Sequence, residues 1–124
     1  MAMLFDPAVR ETGVLVYDRA DPASVPEILG GDVMATDIGV DKLVRWVVYS
    51  RGDSRDGGSQ FSLAMHIIPA GEEHIFAGPA LLAGKRGGND RDLDLDLLWP
   101  CFEFRWLGGA DVGATFRLGQ NYVG

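Results

Sequence analysis

A chain of 124 residues with 47% hydrophobic content has the size of one globular domain, which excludes a disordered chain and leaves little room for a second core. The formal net charge of −7 opposes binding to phosphate backbones or to an anionic bilayer, so neither nucleic acid nor membrane is expected as a partner. A single cysteine, Cys101, excludes an intrachain disulfide, and no stretch approaches the roughly 20 apolar residues of a spanning helix.

The first residues lack the basic region and long apolar core of a secretion signal, so the expected location is cytoplasmic or within an assembled particle. After Gly13, residues Val14, Leu15, Val16 and Tyr17 read as a short strand. Residues 21–31 hold the only helical candidate: Asp21 could cap it, Pro22 suits its first turn and Gly30 could end it. Pro26 interrupts the segment, which predicts a single turn or a loop.

Period-two patterns dominate the rest. Over residues 43–50, Val44, Trp46 and Val48 share one face, while Val47 and Tyr49 on the other predict that this second face is partly covered. Phe61, Leu63, Met65 and Ile67 alternate with smaller or polar residues, the pattern of a strand with one face in a core. Between these runs lies a polar, glycine-rich connection over residues 51–60. Residues 69–72 form a second turn, followed by a short strand over 74–77.

Residues 92–97 place Leu93, Leu95 and Leu97 on one face and Asp92, Asp94 and Asp96 on the other, which only a strand can do. The phase then reverses, with Phe102, Phe104 and Trp106 inward, so a bend is expected at Pro100. Gly108 and Gly109 turn the chain into a last strand with Val112, Ala114, Phe116 and Leu118 inward. The expected fold is all-β, an antiparallel β-sandwich (jelly-roll-like) or small barrel of about seven to eight short strands.

No site for catalysis, cofactor or metal emerges. Arg51-Gly52-Asp53 is an integrin-type tripeptide, but three residues recur by chance and nothing else points to an extracellular setting. Asp90, Asp92, Asp94 and Asp96 would line up along a strand about 6.6–7 Å apart and would not converge on a calcium ion. The stretch around His66 and His74 looks a little like the first cupin motif. The second histidine position holds Phe76, however, and no later histidine follows, so a metal site of that type is not expected. Cys101 lies in an apolar run and reads as a packed thiol. Trp46 and Trp106 fall on inward registers, leaving Trp99 as the tryptophan most suited to exposure.

From Asp37 onward the order of elements resembles β-sandwich modules of tailed-phage virions, such as decoration, neck and fibre proteins. The similar features are the strand over 43–50 ending in a polar loop, the strand over 61–69, the loop at Ala70-Gly71-Glu72, the segment 75–84, and a late strand pair closed by Gly108-Gly109. The likeness is one of rhythm and includes no diagnostic motif. It implies a non-enzymatic subunit that self-associates and docks on a capsid or tail protein. Residues 1–12 would then be an N-terminal docking arm anchored by Met3, Leu4, Phe5 and Val9, ahead of a single domain over 13–124. Trp99 is the further candidate contact. Two alternatives stay open: a carbohydrate- or small-ligand-binding module using Trp99 and the Asp-rich loop, and a small barrel enzyme or metal-free cupin-like protein.

Overall fold

The computed structural model describes residues 2–18, 20–21, 23–39, 45–51, 61–86, 89–91, 93, 98, 100–108, 111–112 and 115–117. Within them the chain forms strands β1 (Ala2–Asp6), β2 (Glu11–Leu15), β3 (Val33–Gly39), β4 (Arg45–Arg51), β5 (Phe61–Ile67), β6 (Glu72–Phe76), β7 (Ala80–Arg86), β8 (Asn89–Arg91), β9 (Phe102–Gly108) and β10 (Asp111–Val112). One helix, α1 (Ser24–Leu29), lies between β2 and β3. The larger sheet runs β2-β1-β7-β4-β3, with β8 added to β7, and the smaller runs β10-β9-β5-β6. All neighbours are antiparallel. The protein is an all-β sandwich.

Alternation decides what lies between the sheets. Met3 and Phe5 of β1, Ile38 of β3, Trp46 and Val48 of β4 and Leu82 of β7 pack with Leu63, Met65 and Ile67 of β5, Phe76 of β6 and Phe102 and Phe104 of β9. Phe5 lies on Phe104 with ring centroids 4.9 Å apart, and Trp46 meets Phe102 edge-on at 4.8 Å. These aromatic contacts tie the sheets together beyond the area they bury.

The outer face of the larger sheet is also apolar. Leu29 of α1 is buried with Ala2, Val47, Leu81 and Ala83, and Val25, Ile28 and Tyr49 pack around them. This covers the second face of β4, as its Val47 and Tyr49 predict. β7 is enclosed on both sides, with Ala80, Leu81, Leu82 and Ala83 all at 0% exposure, so its sequence shows an unbroken apolar run in place of alternation.

The helix is six residues long and tolerates Pro26, because a proline in the first turn loses an N–H that has no helical partner anyway. Asp21 does not cap it directly. Its carboxylate accepts from the Ala23 N–H at 2.9 Å, and its carbonyl accepts from Ser24 at 3.1 Å. Gly30 ends the helix in the left-handed conformation, φ 79°, and the Gly31 N–H reaches the Pro26 carbonyl at 3.2 Å.

One expectation changes, and two fall partly outside the described residues. Residues 2–6 are not an arm. β1 is hydrogen-bonded on both sides, to β2 (Met3↔Val14) and to β7 (Met3↔Leu82), so residues 2–6 are part of the larger sheet. Of the final strand expected over 112–118, the described residues show β10 reaching Val112 and an isolated bridge between Phe116 and Phe104, whose rings stack at 5.5 Å, while 113, 114 and 118 lie outside the described residues. The Asp-Leu run over 92–97 lies outside the described residues except for Leu93, which is buried in the inter-sheet core outside any strand.

Candidate functional site: an exposed sheet edge

The anticipated contact residues scatter. Met3 and Phe5 are completely buried between the sheets, and Leu4 packs on the opposite face beneath α1. Val9 is exposed in the turn that joins β1 to β2, and Trp99 lies outside the described residues. Arg51 ends β4 with its guanidinium against Gly31, while Gly52 and Asp53 lie outside the described residues. Cys101 packs against the inter-sheet core.

The two histidines belong to different places. His66 is on the outer face of the smaller sheet, opposite Glu73 on one side and Glu103 on the other. Arg117 Nη2 meets Glu103 Oε1 at 2.7 Å beside a shallow cleft of about 200 Å³. His74 pairs in register with inward-facing Met65. It lines a groove of about 500 Å³ between the edge strands β3 and β6, together with Thr36, Ser50 and Phe76. Its Nε2 is buried, 3.5 Å from Glu72 Oε2, a contact that becomes an ion pair only when the imidazole is protonated. Among the described residues no three His, Cys, Asp or Glu side chains gather closely enough to hold a metal ion.

The edge of the larger sheet is different in kind. Val9, Val14 and Val16 are 58%, 51% and 82% exposed, and all belong to β2 or its flanks. Directly paired residues share a face, so Met3↔Val14 and Phe5↔Thr12 put Val14 and Thr12 on the inter-sheet side of β2. There they project past the core.

β2 is the terminal strand, and among the described residues it pairs only with β1. Edge strands usually carry lysines, prolines or inward charges that block pairing with another chain. β2 reads Glu-Thr-Gly-Val-Leu and has a single charge at its start. The other margins are better guarded. β6 opens with Glu72 and Glu73, β3 carries Asp37 ion-paired to Lys85 at 2.8 Å, and β10 is two residues long.

Comparison with protein-family models, with curated proteins and with solved structures finds no match. Sequence reasoning expected a strand over residues 14–17; β2 spans Glu11–Leu15, leaving Val16 just beyond its end, and its position in the sheet was not legible. Edge placement follows from strand order, which residue patterns do not encode.

Proposed function

We propose that this chain is a non-enzymatic structural or interaction protein that works by associating with copies of itself. The observation that carries the reading is the grouping of exposed valines on and beside an unguarded outer strand. Leaving β-branched side chains and unpaired backbone in water costs stability that pairing with a second chain recovers. The virion setting is supported by the strand-and-turn rhythm from residue 37 onward; there, a capsid or tail protein is the second partner. Light scattering across a range of concentrations tests the assembly. The expected species is a discrete multiple of the 13.4 kDa chain, and a strict monomer at the highest concentration would contradict it.

The groove between β3 and β6 favours a second reading, a small-ligand-binding module. Its volume falls within the range of small-molecule sites, and the Thr36 and Ser50 hydroxyls stand beside apolar Met34 and Phe76. A glycan or carboxylate panel that shifts the amide resonances of these residues would support it. An unmoved spectrum counts against it.

A further inference from the structure

We infer that the self-association occurs by antiparallel pairing of β2 with β2 of a second copy, across a two-fold axis at Val14; this rests on the self-associating reading above. Three observations lead to that register.

The first is the ladder rule. In an antiparallel edge strand only alternate residues turn their N–H and C=O groups outward, so two identical strands pair with a residue, not a peptide bond, on the two-fold axis. Thr12, Gly13, Val14 and Leu15 are the available centres.

The second is the chemistry of each register. A centre at Gly13 puts two glycines together at the axis and sets the Glu11 carboxylate against Leu15. One at Thr12 sets Val14 against Arg10, which sits at φ 53° and cannot continue a strand. One at Leu15 requires pairing through residue 18, well past the end of β2. The centre at Val14 pairs Val14 with Val14 and Thr12 with Val16 in both directions, extending the strand by one residue beyond Leu15. That forms a row of β-branched side chains on one face from residues that are partly or largely exposed in the single chain.

The third is charge. Between Glu11 and Tyr17 the same register meets only one charge, Glu11, which it sets opposite Tyr17, so no two like charges lie across from one another and the ladder stops short of Arg10. It joins the larger sheets of two protomers into one continuous sheet and hides the edge that each would otherwise expose. The interface is isologous, so it closes at a dimer through this edge.

The test combines a charge and a cross-link. Val14→Lys places two ammonium groups face to face at the axis, while Val14→Thr keeps a β-branched side chain. Light scattering should show a dimer for the wild type and Val14→Thr, and a monomer with an unchanged circular-dichroism spectrum for Val14→Lys. Single-cysteine additions at positions 12, 13 and 14 read the register, with the wild type and its Cys101 as the oxidation control. Opposed residues have Cα atoms about 4.5–5.5 Å apart, within disulfide reach, so Val14→Cys should be driven to covalent dimer by mild oxidation. Thr12→Cys and Gly13→Cys should lag at least tenfold. A dimer that survives Val14→Lys, or that cross-links fastest at position 12 or 13, overturns this interface and leaves self-association standing. A monomer under all conditions overturns both.

Discussion

Phe104 stands at the centre of the aromatic contacts. It touches Phe5, Phe102 and Phe116 with ring centroids between 4.9 and 5.9 Å and is fully buried. Phe104→Ala removes contacts to both sheets and should cost about 3–5 kcal/mol in denaturant unfolding. A loss below about 1 kcal/mol would mean the sheets are not held together there. Asp37 offers a second residue-level check. The hydrogen bond and charge of Lys85 hold its carboxyl below the ordinary aspartate value. A depressed carboxyl pKa stabilises the fold above the unfolded pKa, and that contribution disappears as pH falls through the folded one. Because the pair is exposed, its effect on stability is small, and the signature is the titration itself. Lys85→Met should move the Asp37 midpoint, followed by carboxyl carbon resonance, upward; an unmoved midpoint would rule out the pairing.

At the scale of elements, legibility depended on how many faces each strand buries. β5 and β9 alternate cleanly because one face meets the core and the other meets solvent, and Leu63, Met65, Ile67, Phe102 and Phe104 could be placed from spacing alone. β4 carried the further hint of Val47 and Tyr49, which α1 covers. β7 was legible only as an apolar segment, since a strand buried on both sides loses its period. β1 was hidden for another reason. Its partner β7 lies far along the chain, and a five-residue terminal run gives no sign of a distant ladder. The helix was visible mainly through its end: Gly30 holds a φ of 79°, and no atom lies near enough to obstruct a Cβ there. Gly30→Ala should therefore cost about 1 kcal/mol from backbone strain alone. No loss of stability would show that the left-handed turn is not required. Removing residues 1–6 tests β1 more severely. An arm could be cut away without changing the melting transition, whereas a strand bonded on both sides cannot, and the truncated chain should lose cooperative unfolding.

At the scale of the molecule, three layers stand together: the smaller sheet, the larger sheet and the short helix over its outer face. The layering buries both sides of the larger sheet but does nothing for its margins. Period two told which side chains hide; strand order, which no residue pattern reveals, told which backbone is left open. That is why Met3 and Phe5, proposed as contacts, became core, while Val14, read as part of an ordinary strand, became the exposed edge with Val16 on its flank. The groove beside His74 and the charged row around His66 were equally invisible, because each is built from strands separated in sequence. Hydrogen–deuterium exchange at low and high protein concentration tests the edge most directly, because it reads backbone protection strand by strand. The outward-turned alternate amides of residues 11–16 should become more protected as concentration rises, while those of β3 and β6 stay constant. Protection of residues 11–16 that does not change with concentration, or that rises at β3 or β6 instead, would contradict the account.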